Sequence, residues 1–462
     1  MAQTYVVKSY KGIVIVICTI AALGGLLFGL DQGFIANSLP TIEGVYHLGT
    51  QGGENYAGVL AWGGILGALL SGIFARFLGR KKSLLLAGFL FSALTIISAL
   101  LPPLAVLTWC RFGLGFAVGV ASFIVPLYLS ETAPASIRGS MGTLFQFMIT
   151  IGIFLISLTN VFIARLFTEA HIALPMMFLV IAVFALIMFF GGFLIPESPR
   201  WLMLRGRRED AVIVLERTLN SSEEIQSELN EIQETLGATK GKVFTGYFIK
   251  ILIVGVVLQM FQQLVGINAM IYYAPTIFGY ASITGFVGMM TIPVVNMLCT
   301  IPAIKWVEKM GRKKLLYLGS AVMLITMLCA GFAFVQMSHV ANPGVGIKAM
   351  LLISLILYIF GFACSWGPVA WLVCSEIFPM AGREVGMTVT TMVNWTFAGL
   401  VMSQALTFMH VHGNASIFFL FAFFCVLSFV FVKFFVPETK GVTLEKIEED
   451  LKNGVPLRKI GM

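Results

Sequence analysis

Two charges, Asp31 and Arg111, lie deep in otherwise apolar stretches of the chain. A lone charge within a bilayer costs at least roughly 2.5 to 3.5 kcal/mol on insertion scales, so each should face the protein interior and find a partner. Their opposite signs make them candidates for each other. An aspartate that approaches or leaves an arginine as helices move changes its proton affinity with conformation, which is the chemistry of proton coupling. The alternative is a static ion pair that only fixes helix packing. A second set of candidates is the carboxamides Gln146, Gln262, Gln263, Asn268, Asn296 and Asn394. A carboxamide offers a donor and an acceptor side by side, which suits the hydroxyls of a sugar or polyol, and Trp371 could cover an apolar ring face. For any single amide the rival role is glue between helices, worth about 0.6 to 2 kcal/mol.

Spacing then says what the elements must do. Residues six apart on a helix differ by about 240°, so Gln262, Gln263 and Asn268 share one site only if the helix breaks between them. Gly266 sits where that break is expected. Gly367-Pro368 reads as a hinge in a later span, while Tyr272 and Tyr273, just beyond the amide cluster, are candidate gates or interfacial anchors. Phe28 and Trp395 are candidates for lining the path, against a background of 40 Phe and 7 Trp.

The chain of 462 residues is 58% hydrophobic and only 11% charged, which excludes an ordinary soluble enzyme or a disordered protein. Apolar runs of about 20 residues recur from Gly12 to Val436, each long enough to cross a hydrocarbon core of roughly 30 Å. Spans are expected near 12–37, 57–77, 83–101, 105–129, 140–163 and 173–195, then 250–279, 283–306, 315–335, 348–377, 386–408 and 414–436. This predicts an all-α membrane protein of twelve transmembrane helices, with an N-terminal half at 1–195, an amphipathic cytosolic linker of short helices at 196–249, a C-terminal half at 250–436 and a cytosolic tail at 437–462. Linker positions Ile213, Leu215, Ile225, Leu229, Ile232 and Leu236 are its expected apolar face.

The net charge of +8 is explained by where the charges lie. Only Arg165 and Lys348 fall in connections at one face and Arg111 inside a span; every other Lys and Arg lies at the opposite face. That is positive-inside sorting, which places both termini in the cytosol and argues against a nucleic-acid surface. The first run, interrupted by Asp31 and lacking a small-residue cleavage site, is expected to be a retained span. Cys18, Cys110, Cys299, Cys329, Cys364, Cys374 and Cys425 all fall in apolar spans and read as buried hydrophobes, with neither disulfides nor a metal expected. His47, His171, His339, His410 and His412 fall in outward connections, so none is placed as an intramembrane proton carrier.

Three motif pairs mark a duplication. Gly79-Arg80-Lys81-Lys82 recurs at Gly311-Arg312-Lys313-Lys314, Ser130-Glu131-x-x-Pro134-x-x-x-Arg138 at Ser375-Glu376-x-x-Pro379-x-x-x-Arg383, and Pro196-Glu197-Ser198 at Pro437-Glu438-Thr439. Each pair is separated by nearly the same length of chain. A duplicated six-span unit is the signature of transporters that hold substrate at the repeat interface and rock the halves about it.

Taken with Gly29-Leu30-Asp31-x-Gly33, Pro126-x-Tyr128-x-Ser130-Glu131, Pro196-Glu197-Ser198-Pro199-Arg200-Trp201-Leu202, Gln262-Gln263-x-x-Gly266-x-Asn268 and Pro437-Glu438-Thr439-Lys440-Gly441, the chain resembles the sugar porter branch of the major facilitator superfamily over essentially its whole length. The resemblance implies proton coupling at Asp31 and Arg111 and sugar binding by Gln146, Gln262, Gln263, Asn268, Asn296, Trp371 and Asn394. It also implies an ionic lock at the cytosolic ends from Arg80, Glu131, Arg138, Arg312, Glu376 and Arg383. One departure stands out: Glu308 precedes Gly311 by three residues in the second half, but Arg76 holds that place before Gly79 in the first.

With no Walker A loop, no nucleophile-elbow triad and no metal cluster, ATP-driven pumping and membrane enzymology are not expected, and no cofactor is implied. The Gly115-to-Gly119 repeat reads as helix packing. The expected function is proton-coupled import of a monosaccharide by alternating access across a bacterial inner membrane, with a galactose- or glucose-type hexose implied by the resemblance. A facilitative uniporter, a pentose or myo-inositol symporter, and a sugar sensor are the alternatives. Expected partners are the sugar, protons and the lipid bilayer; no nucleic acid or obligate protein partner is indicated.

Overall fold

The computed structural model describes residues 11–134, 137–238, 245–283, 285–340, 344–379, 382–440, 442 and 444–460. The first half consists of α1 (Ile13–Tyr46), α2 (Thr50–Phe77), α3 (Arg80–Ala99), α4 (Leu104–Thr132), α5 (Arg138–Leu166) and α6 (Ala170–Leu194). Three short helices follow: α7 (Pro199–Leu204), α8 (Arg208–Thr218) and α9 (Ser222–Ala238). The second half has α10 (Gly246–Leu264), α11 (Ile267–Tyr280), α12 (Gly285–Met310), α13 (Arg312–Ser338), α14 (Val345–Ala363), α15 (Trp366–Ile377), α16 (Arg383–His412) and α17 (Ser416–Phe435), with α18 (Leu444–Lys452) beyond it. Among the described residues, twelve segments are long and apolar enough to cross a membrane; α10 with α11 and α14 with α15 each form one of them.

The two broken spans have different causes. Gly266 joins α10 to α11 with φ of 99°, a left-handed conformation that only glycine adopts without strain, and a Cβ there would collide with the Phe421 ring. The break frees the Val265 carbonyl, which accepts from the Tyr358 hydroxyl at 2.9 Å. In the tenth span the break lies at Cys364 and Ser365, ahead of the expected Gly367-Pro368 hinge. Gly367 and Pro368 instead fall in the first turn of α15. There a proline forfeits no intrahelical bond, because the first amides of a helix have no partner to lose.

Packing within the halves pairs α1 with α5, α2 with α4, α3 with α6, and α13 with α14 and α17. Gly115 and Gly119 of α4 lie directly on the Leu60 and Gly64 carbonyls of α2, so the small-residue repeat sets how close those helices come. Across the halves, α2 packs on α16, α5 on α12 and α1 on α11. The short helices form their own small core around Leu202, Ala211, Val214, Leu215, Leu219, Ile225 and Leu229. Ile213, expected on that apolar face, is instead 50% exposed, and the Leu236 side chain lies outside the described ones.

Candidate functional site

All seven side chains expected to bind substrate, Gln146, Gln262, Gln263, Asn268, Asn296, Trp371 and Asn394, line one narrow cavity of about 60 Å³ between the halves. It is narrow because most of its amides bond to each other. Gln32 donates to Asn268 at 3.2 Å, Asn268 to Gln263 at 2.6 Å, and Gln263 to Gln262 at 2.6 Å and Asn394 at 3.1 Å. Asn394 in turn donates to Gln262 at 2.7 Å and to Gln259 at 2.8 Å. The break at Gly266 is what lets Asn268 turn back toward Gln263. Among the described residues, the side chains of Gln146 and Asn296 have no hydrogen-bond partner, and neither does the buried indole N–H of Trp395. Such a wall of donors and acceptors around an aromatic floor can part to admit a polyhydroxylated ring, exchanging its internal bonds for bonds to the hydroxyls. Phe28 meets Trp395 across the halves, with ring centroids 5.3 Å apart.

Asp31 and Arg111 do find each other, Nη1 to Oδ1 at 2.5 Å, with both side chains 1% exposed. Only that bond forms: Asp31 Oδ2 and Arg111 Nε and Nη2 have no hydrogen-bond partner among the described residues. Arg111 also lies over the Tyr56 ring, 5.7 Å from its centroid. Asp31 is followed directly by Gln32, so the ion pair and the amide chain meet in consecutive residues of α1.

At the end of the bundle away from the Lys/Arg clusters, Tyr272 and Tyr273 are buried at 1% and 0% exposure. The Tyr273 hydroxyl donates to the Met402 carbonyl of α16. Glu54, wholly buried on α2, accepts from the α16 amides of Leu406 at 2.5 Å and Thr407 at 3.1 Å and from the Thr407 hydroxyl. Gln51 donates to the Ser403 carbonyl at 3.2 Å. Met402 and Ser403 are the residues whose carbonyls would close a regular turn with those two amides. One turn of α16 is therefore shared with side chains from the other half and from α11, and the halves are joined at this end.

At the opposite end the three repeated motifs converge in each half. Arg80 pairs with Glu131 at 2.7 Å and the Ser198 hydroxyl donates to the same carboxylate at 2.5 Å. Arg312 pairs with Glu376 at 2.8 Å and the Thr439 hydroxyl donates to it at 2.5 Å. Glu197 caps the start of α3 by accepting from the amides of Arg80 at 2.9 Å and Lys81 at 3.1 Å. Glu438 does the same for α13, from Arg312 at 3.0 Å and Lys313 at 3.1 Å. A carboxylate suits the positive end of a helix, and Gly79 and Gly311, both at positive φ, leave it room. Each of these pairs joins residues of one half. Arg383 begins α16, half-buried, while the side chains of Arg138 and Glu308 lie outside the described ones.

The family model described as "Sugar (and other) transporter" matches residues 17–451. The chain belongs to the sugar transporter family. Among curated relatives of this sugar transporter, the galactose-proton symporter of Escherichia coli (strain K12) is 40% identical, covering 98% of this chain and 98% of the relative. The arabinose-proton symporter of the same strain is 35% identical, covering 96% and 94%. Among solved structures, the proton:xylose symporter XylE bound to 6-bromo-6-deoxy-D-glucose superposes with a TM-score of 0.81 at 31% identity, covering 94% of this chain and 98% of that one. The inward open conformation of the xylose transporter XylE from E. coli gives 0.80 at 31% identity, covering 94% and 99%. The sugar transporter is thus an integral, multi-pass membrane protein of the major facilitator fold.

Sequence reasoning missed three residues of this transporter's central architecture. Gln32 and Gln259 are polar residues in apolar spans, and that signal was available to find them. Glu54 lay outside the expected second span, because Thr50, Gln51 and Glu54 lower the hydropathy of what is in fact the first turn of α2.

Proposed function

We propose that the transporter imports a monosaccharide together with a proton across a bacterial inner membrane, with the basic ends of its spans in the cytosol. The observation that carries this reading is the contiguity of Asp31 and Gln32. The first holds the buried ion pair with Arg111, and the second bonds to Asn268 in the amide-lined wall of the other half. Protonation of Asp31 weakens its hold on Arg111, while sugar occupying the amides of both halves favours their closing together. The two events therefore act on neighbouring residues of one helix. A potential of 100 mV contributes about 2.3 kcal/mol per charge carried fully across, enough for useful accumulation. The galactose-proton symporter, at 40% identity, supports a hexose as substrate. Contact between the halves at the far end, through Glu54 and Gln51 of α2 bonded to α16, supports an inward-facing arrangement.

Asp31→Asn tests the assignment. The variant in proteoliposomes should still exchange internal for external labelled sugar, yet fail to accumulate it against an imposed pH gradient. Gradient-driven accumulation that survives the substitution would remove Asp31 from the coupling step.

A further inference from the structure

A second cavity, of about 1060 Å³, opens at the basic end of the second half, between the last turn of α12, the first turns of α13 and the last turn of α17. Lys309, Lys313, Lys314, Lys433, Arg458 and Lys459 line it. Its one acid among the described lining residues, Glu438, offsets a single one of these charges, and its oxygens are occupied by backbone amides: Oε1 accepts from those of Arg312 and Lys440 and Oε2 from that of Lys313. Lys440 is likewise engaged, its Nζ donating to the Lys309 carbonyl at 2.7 Å. The segment Leu457–Lys459 is held over the cavity by the Glu438 amide, which donates to the carbonyl of the buried Ile460 at 3.2 Å. The cavity therefore carries a large excess of positive charge over the single carboxylate among its described lining residues.

Lys313 shows that an occupant is wanted. It is only 6% exposed, and its Nζ has no hydrogen-bond partner among the described residues. A buried ammonium left in that state is costly unless a counter-charge meets it. The fold does not impose the arrangement, because the repeat supplies a control. Lys81, the equivalent lysine in the first half, donates its Nζ to the Phe193 carbonyl at 2.9 Å.

The position says what the occupant is. The cations of α12, α13 and α17 sit at the ends of helices assigned to the bundle, and the exposed apolar side chains of Met310 at 38% and Phe434 at 47% flank them. A ligand meeting ammonium groups on one side and exposed apolar side chains on the other must itself be amphipathic and anionic. We propose that this cavity binds the phosphodiester headgroup of an anionic phospholipid, with Lys313 as its buried contact. Basic pockets between transmembrane helices suit such headgroups, because the surrounding bilayer supplies the ligand at high local concentration.

Native mass spectrometry of the full-length, detergent-purified transporter, titrated with cardiolipin, phosphatidylglycerol or phosphatidylcholine, tests the proposal. The two anionic lipids should bind in preference to phosphatidylcholine, and the double variant Lys313→Gln/Lys433→Gln should bind them at least about tenfold more weakly. A control variant at the first-half motif, Lys81→Gln/Lys82→Gln, should bind them as the wild type does. Equal losses in both variants, no loss in the first, or displacement of bound lipid by millimolar inorganic phosphate would overturn the proposal. Should the first variant fail to fold, the wild-type ranking of the three lipids decides the matter, since equal binding of phosphatidylcholine contradicts it.

Discussion

The amides of the central cavity bond to one another in a chain from Gln32 to Gln259, so sugar bound there as proposed would exchange these bonds for bonds to its hydroxyls. The net gain per exchange is modest, and specificity comes from any amide left unpaired by the wrong ring. Asn268→Ala removes the one amide that connects Gln32 to Gln263 and should weaken sugar binding by about 1 to 3 kcal/mol, measured by calorimetric titration. Unchanged affinity would place the binding residues elsewhere. At this scale much was legible in the sequence: carboxamides inside apolar spans are expensive, and those named from residue type and spacing all line one cavity. What residue type could not give is the partner of each amide. That depends on α16 bringing Asn394 against Gln262 and Gln259 from more than a hundred residues away.

Among the elements, α16 makes the most extensive contact across the halves, through α2. Its shared turn at Met402 to Thr407 joins the halves at the far end through one buried carboxylate, Glu54. Hydrogen bonds to a charged group are worth about 1.5 to 3 kcal/mol, so Glu54→Gln should shift the closed population roughly tenfold or more toward opening at that end. Spin labels at the exposed positions His47 and Val411 would report longer distances in the variant; an unchanged distribution would show that Glu54 does not hold the closure. Hydropathy placed the twelve spans but truncated α2, because the turn that carries Glu54 is polar and becomes buried only by contact with α16. The break at Gly266 was legible because a glycine there reconciles the amide spacing. The break at Ser365 was not, because it arises from the backbone of a residue with no special conformational preference, and the nearby Gly-Pro pair points downstream of it.

For the whole molecule, the duplication visible in three motif pairs becomes two copies of one device. In each half an Arg-Glu pair, a hydroxyl from the Ser or Thr of the third motif and a glutamate cap tie the ends of several helices together. Two such units joined at a central cavity and latched at one end are suited to rocking about that cavity. The copies were legible in the sequence, but not that their motifs touch, since they are spread over most of each half. Rocking of this kind must carry a proton and a sugar together if Asp31 and the amides act as proposed. Purified transporter in lightly buffered proteoliposomes, given galactose outside and watched with a pH electrode, tests that coupling most directly. Sugar addition should alkalinise the external medium in step with uptake. Sugar entry without any such pH change, in vesicles whose transporter is demonstrably active, would contradict coupling and leave passive equilibration.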